Sequence, residues 1–88
     1  IYAGSGADTI YGGTGNDFVD GAGTSTVYGD DGNDTLSNAQ YIYGGNDNDV
    51  IYGVNTGNPN YFLSGDAGLD TIYGGINQDT IYGGDDAD

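Results

Sequence analysis

The 88 residues contain no Cys, His, Met or Trp, no Lys or Arg, and a single Pro. Each absence closes off a class of chemistry. Without Cys there is no disulfide staple and no thiol nucleophile, and without His there is neither an imidazole base nor the usual zinc ligand set. With no basic side chain, nothing neutralises a phosphate, which speaks against nucleic acid and anionic lipid headgroups as partners. Apolar runs are too short to span a bilayer, so membrane insertion is not expected, and no signal-peptide pattern is found.

What remains is acidic and rich in glycine. All 14 charged side chains are Asp, giving a net charge of −14, and 19 residues are Gly. Hydrophobic residues make up only 35% of the chain. Self-repulsion and glycine entropy together predict a disordered chain unless cations neutralise it. Such a length allows one domain, spanning 1–88, with little volume for a core.

The chain is built almost throughout from a nine-residue unit, G-G-x-G-x-D-x-U-x, with U apolar. It reads GGTGNDFVD over Gly12–Asp20, GDDGNDTLS over Gly29–Ser37 and GGNDNDVIY over Gly44–Tyr52. GDAGLDTIY follows over Gly65–Tyr73 and GGINQDTIY over Gly74–Tyr82, while Ala3–Tyr11 fits with Ala first and Gly83–Asp88 is a partial copy. Irregular units fill the gaps at Gly21–Tyr28, Asn38–Tyr43 and Gly53–Ser64.

In each unit the last three residues form a short strand whose middle residue points inward. The inward series is Ile10, Val19, Val27, Leu36, Ile42, Ile51, Leu63, Ile72 and Ile81, all aliphatic. That is what a pleated strand with one buried face requires. Two units make one coil, so odd-numbered loops stack along one edge and even-numbered loops along the other. The even loops end in Asp17, Asp34, Asp49, Asp70 and Asp88 without exception. The odd loops end in Asp8, Ser25, Gln40, no clear equivalent, and Asp79, and their lengths vary. Length changes confined to one edge indicate that only the other is constrained.

This pattern resembles the RTX (repeats-in-toxin, haemolysin-type) calcium-binding repeats over nearly the whole chain. The resemblance implies an all-β, right-handed parallel β-roll, here of about five coils of two units each. It further implies calcium held between loops one coil apart by the sixth-position Asp and loop carbonyls. On the matching residues the carboxylates are Asp17, Asp34, Asp49, Asp70 and Asp88, with Asp8 and Asp79 on the other edge. The carbonyls are those of Gly12, Thr14 and Gly15, then Gly29, Asp31 and Gly32, then Gly44, Asn46 and Asp47. Gly65, Ala67 and Gly68 continue the series, and Gly83 and Asp85 close it. Departures at Ser25, Gln40 and Gly53–Asn60 argue against internal calcium on the odd edge.

The chemistry of the residues agrees independently. Calcium takes six to eight oxygens at flexible geometry, which Asp and glycine-loop carbonyls supply. Four such ions would offset about eight of the fourteen negative charges. Folding is therefore expected to be coupled to calcium, in the roughly 10⁻⁴–10⁻³ M range of extracellular modules.

Other features have plainer readings. The acid pairs Asp30-Asp31 and Asp85-Asp86 lie in calcium loops with no pocket around them, so an enzyme is not expected. Asn33-Asp34-Thr35 matches a glycosylation sequon, but Asn33 is needed within a tight loop. Pro59 marks a turn in the long odd loop. Nine Tyr recur, seven of them in the last repeat position, where they alternate with the core residue and form outward ladders. On the odd face the ladder Tyr11, Tyr28, Tyr43 and Tyr82 is interrupted at Ser64, with Tyr41 and Phe62 alongside. Such ladders stabilise thin sheets or present an aromatic surface for lateral packing or sugar binding. The loop Gly13–Asp17 resembles the ice-binding RTX domains of marine bacterial adhesins. Its Thr14, however, is not repeated at Asp31, Asn46, Ala67 or Asp85.

The expected function is calcium-dependent scaffolding in a secreted or cell-surface protein. The alternative is a calcium-folding accessory module of a secreted toxin, protease or lipase. The chain starts in the last two positions of a repeat and stops in the sixth. That register points to head-to-tail continuation with other copies, with Asp79 meeting Asp8 and Asp88 meeting Asp17 at the junction.

Overall fold

A computed structural model describes residues 1–4, 6–21, 25–53, 62–74 and 80–84. Nine three-residue strands follow the repeat: β1 (Thr9–Tyr11), β2 (Phe18–Asp20), β3 (Thr26–Tyr28), β4 (Thr35–Ser37) and β5 (Tyr41–Tyr43) lead, and β6 (Val50–Tyr52), β7 (Phe62–Ser64), β8 (Thr71–Tyr73) and β9 (Thr80–Tyr82) complete them. Each strand begins where the glycine-rich loop ends and the β-branched or aromatic residues take over.

Odd strands form one parallel sheet, β1-β3-β5-β7-β9, and even strands a second, β2-β4-β6-β8. Chain connectivity alternates between the sheets, which makes the fold a β-solenoid with two strands per coil. The described strands complete four coils and begin another, slightly short of the five expected. The N-terminal residues join the even sheet through a parallel bridge between Tyr2 and Asp20.

Register follows the repeat. Ile10 pairs with Val27, Val27 with Ile42, Ile42 with Leu63 and Leu63 with Ile81 in the odd sheet. Val19, Leu36, Ile51 and Ile72 align likewise in the even sheet. The two aliphatic columns face each other and form the core, with Val19, Val27, Leu36, Ile42, Ile51 and Leu63 fully buried. Burying each such side chain contributes about 1.5–3 kcal/mol. The molecule is only 13 Å across its shortest axis, so this core is one side chain deep from each sheet.

Two departures from the expected core have simple causes. Ile81 is 46% exposed because β9 has a described neighbour on one side only. Ala39, in a loop rather than a strand, is fully buried and joins the core. It lies in the shortened odd unit, where Asn38 adopts a φ of 60° and turns the chain inward early. No described helix is long and apolar enough to cross a membrane.

Candidate metal centre

The even loops place their second and fourth residues in left-handed backbone conformation. The pairs are Gly13 and Gly15, Asp30 and Gly32, Gly45 and Asp47, then Asp66 and Gly68. Asp is among the few side chains that tolerate such angles, and it takes one of the two positions in three of these loops. The geometry turns the loop carbonyls alternately toward the neighbouring coil. Second-position carbonyls are used for stacking: the Asn46 N–H donates to Asp30 at 2.9 Å and the Ala67 N–H to Gly45 at 3.0 Å.

The sixth-position Asp residues form a ladder through the edge. The Asp17 N–H donates to Asp34 Oδ1 at 2.7 Å, the Asp34 N–H to Asp49 Oδ1 at 2.9 Å, and the Asp49 N–H to Asp70 Oδ1 at 2.8 Å. One carboxylate oxygen of Asp34, Asp49 and Asp70 is thereby committed to the preceding coil. The other oxygen, Oδ2, of Asp34 and Asp49 is buried with no hydrogen-bond partner, as is Oδ2 of Asp17 at the start of the ladder. A buried carboxylate oxygen without a partner is costly, and a cation beside it removes the cost.

The first-position glycines show what surrounds these oxygens. A Cβ at Gly12 would stand 2.8 Å from the Gly29 carbonyl oxygen and 2.9 Å from Asp17 Oδ2. At Gly29 it would meet Asp34 Oδ2 at 2.6 Å and the Gly44 carbonyl. At Gly44 it would meet Asp49 Oδ2 and, at 2.8 Å, the Gly65 carbonyl; at Gly65, Asp70 Oδ2 and, at 2.7 Å, the Gly83 carbonyl. The same oxygen cradle thus recurs four times, each built from an Asp and a carbonyl of the following coil.

Among the described residues no three carboxylates converge on one point. The cradles therefore depend on main-chain oxygens to complete a coordination shell. An all-oxygen donor set with one or two carboxylates fits a hard, flexible cation such as calcium.

Burial dominates the electrostatics. It pushes the Asp49 carboxyl from its ordinary 3.8 up to about 7; the bond from the Asp34 N–H opposes this, and the charges of Asp70, Asp34 and Asp47 add to it. Asp34 is raised for the same leading reason, again against a backbone hydrogen bond, here with Asp17. Both carboxylates thus sit where an adjacent positive charge is strongly favoured.

Of the other expected ligands, the Gly15 carbonyl abuts Gly32 and the Asp47 carbonyl abuts Gly68. Thr14, Asp31 and Asn46 lie on the outer rim, around an open groove also lined by Asp30 and Asp66. This corrects the expectation of no pocket beside the Asp30-Asp31 pair: stacking of the even loops leaves a hollow between their second and third residues. There the Asn46 amide donates to Asp31 at 2.8 Å, which occupies that side chain within the rim. Asp79, Asp85 and Asp88 lie outside the described residues.

The odd edge is built differently. The Asp8 N–H donates to Ser25 Oγ at 3.2 Å, so Ser25 takes the ladder role that Asp holds opposite. Oδ2 of Asp8 is buried without a hydrogen-bond partner. One coil further on a Cβ at Gly21 would meet the Ala39 methyl at 2.6 Å and the Asn38 carbonyl at 3.1 Å, with no carboxylate oxygen among its nearest neighbours.

Sequence reading overlooked the fifth position. The Asn33 N–H donates to Asn16 Oδ1, the Asn48 N–H to Asn33 Oδ1 and the Leu69 N–H to Asn48 Oδ1, at 2.8–2.9 Å. This exposed Asn column runs beside the Asp ladder with the opposite donor direction. Its signal was present as Asn before Asp in three consecutive even units.

With this geometry in place, comparison with known families is decisive. The RTX calcium-binding nonapeptide repeat matches in four copies, over residues 1–25, 18–40, 39–54 and 62–88. The chain belongs to that family. No curated protein and no solved structure matches it significantly. RTX repeats bind calcium and form structural, generally non-catalytic modules, and they occur in secreted bacterial proteins.

Proposed function

We propose that this RTX module holds calcium between successive even loops and folds when it does so. The cradles are those pairing Asp17 with Gly29, Asp34 with Gly44, Asp49 with Gly65 and Asp70 with Gly83. The row of buried, unpartnered Oδ2 atoms at Asp17, Asp34 and Asp49 carries the reading. The third- and fourth-position carbonyls around Thr14, Asp31, Asn46 and Ala67 complete the shells, with Gly15, Gly32, Asp47 and Gly68. Asp8 offers a further carboxylate on the odd edge, and Asp79, Asp85 and Asp88 extend the series by sequence.

When bound, calcium supplies the positive charge that the chain itself lacks. The Asp and glycine residues hold the loops in register and expose their oxygens to it. Since the core is one side chain deep and the net charge is −14, calcium is the main term opposing disorder. Titrating calcium into the chelated protein should convert a coil circular-dichroism spectrum to β, and chelator should reverse it. A full β spectrum in excess chelator would sink the proposal.

The folded module acts as a scaffold in an extracellular or cell-surface protein, with no catalytic role. Continuation of the stack is part of this reading. All three residues of β9 are exposed, and among the described residues β9 pairs with β7 alone, so a further coil, of the same protein or of a second copy, would add at its other edge. Calcium-dependent elongation in light scattering would support self-association between copies. A monodisperse monomer in saturating calcium would remove it.

A further inference from the structure

The tyrosine ladders differ from the expected pattern in a way that has chemical consequences. Tyr11 and Tyr28 stack at 5.1 Å with 9° between their planes, and Tyr28 and Tyr43 at 5.1 Å with 10°. The gap at Ser64 is closed by Phe62, whose ring lies 5.6 Å from Tyr43 and 5.3 Å from Tyr82. On the even sheet Tyr52 and Tyr73 form the flattest stack, at 5.0 Å and 5°. Both of these rings are open to solvent, 44% and 54% exposed.

Composition makes this arrangement consequential. Cys, Met, Trp and His are all absent, so tyrosine is the one readily oxidised side chain in the protein. A one-electron oxidant meets phenols already paired across adjacent coils, with no sulfur or indole to intercept the radical.

We propose that Tyr52 and Tyr73 form an oxidative cross-linking site, with Tyr11–Tyr28 as a second, joining neighbouring coils through dityrosine. The oxidant is hydrogen peroxide acting through a haem peroxidase. Each phenol loses one electron and its hydroxyl proton. The two phenoxyl radicals then form a bond between ring carbons ortho to oxygen, and a proton on each carbon returns to oxygen as the rings regain aromaticity. The peroxide takes up the two electrons and two protons and leaves as two waters. Parallel rings must tilt for the ortho carbons to meet, and exposure at Tyr52 and Tyr73 leaves room for that swing. Tyr82 does not couple along its ladder, because its neighbouring ring, the tilted Phe62, has no phenol. The product ties coil to coil covalently, a function no disulfide can serve in a chain without Cys.

The test treats the full chain in saturating calcium, at low protein concentration, with peroxidase and peroxide. Digestion at Asp followed by mass spectrometry should yield a peptide pair joining Tyr52 to Tyr73, lighter by two hydrogens. The cross-linked chain should keep β circular dichroism after chelation. Tyr73→Phe preserves the stacked ring and should lose that pair, and Tyr52→Phe should do the same. Loss of the pair in either folded variant supports the assignment. A β spectrum without the Tyr52–Tyr73 pair overturns this inference and leaves the calcium reading standing. Links only between molecules, or Tyr82 coupled as often as Tyr73, also overturn it.

Discussion

The two loop edges of this solenoid solve the same problem with opposite chemistry. Both must turn the chain at a first-position glycine and stack that turn on the next coil. At Gly12, Gly29, Gly44 and Gly65 the space beside the glycine is filled by oxygens from an Asp and from the following carbonyl. At Gly21 the following carbonyl, that of Asn38, is also near at 3.1 Å, but the place of the Asp is taken by the Ala39 methyl group. A hydrocarbon plug is self-sufficient, whereas an oxygen cradle with a buried carboxylate is favourable only with a positive charge. The glycine is thus kept on both edges for steric reasons, but among the described residues only the even edge repeats the oxygen cradle coil after coil, the odd edge keeping a single buried carboxylate oxygen at Asp8.

Removing a carboxylate should break that contrast most. Asp49→Ala deletes a cradle oxygen and leaves the buried Asp34 N–H without its acceptor. An unsatisfied buried donor alone costs about 1–3 kcal/mol. Converted, the calcium midpoint for folding should rise roughly tenfold to a hundredfold. Gln40→Ala keeps the main-chain bonds linking Gln40 to Ser25 and Phe62. It should move stability by no more than about 0.5 kcal/mol. Calcium titrations followed by circular dichroism compare the two, and equal shifts would erase the distinction between edges.

Two glycine substitutions sharpen the comparison. Gly29→Ala drives a methyl against Asp34 Oδ2 and the Gly44 carbonyl, so its damage should appear as a raised calcium requirement. Gly21→Ala drives a methyl against Ala39 and Val27 instead. Overpacking of that kind costs about 1–3 kcal/mol. That loss should persist at saturating calcium, when read by urea denaturation.

Acidity should act on the even edge through Asp49. Its carboxyl is raised from 3.8 to about 7, so between those values the fold takes up a proton that the unfolded chain does not. Without calcium, acidification through that window should therefore favour the fold, and raising the pH should remove the gain. With calcium the sign reverses, because the ion must displace the proton. Calorimetry should find affinity about tenfold weaker at about pH 6 than at about pH 8. An affinity independent of pH would contradict the assigned burial.

The smallest effect is expected at the Asn column. Asn33→Ala removes the acceptor for the exposed Asn48 N–H and should cost about 0.5–1.5 kcal/mol, since water can replace it in part. The calcium midpoint should shift only in proportion.

These contrasts also show which parts of the molecule were legible in the sequence. Strand positions and register followed from the aliphatic eighth position, because a period-two strand leaves that residue one place to go. The column of even-loop Asp residues followed from the sixth position, whereas the N–H to Oδ1 bonds that link it from coil to coil did not. Ala39 was missed because its burial depends on a shortened unit pulling a loop inward, which spacing within one repeat does not encode. Phe62 lies alongside the ladder with Tyr41 as expected, but its bridging of the Ser64 gap was not foreseen, because it depends on neighbouring columns lying side by side. The Asn column was visible as a recurrence, but its hydrogen bonds run between coils and needed the stacked geometry to be recognised.

The most direct test of the oxygen-cradle account is an anomalous-difference map from crystals of the calcium-loaded protein. The account predicts peaks between successive even loops, beside Oδ2 of Asp17, Asp34 and Asp49, and none beside Gly21 and Ala39. Peaks at Gly21 and Ala39, or an even edge with no peak, would contradict it.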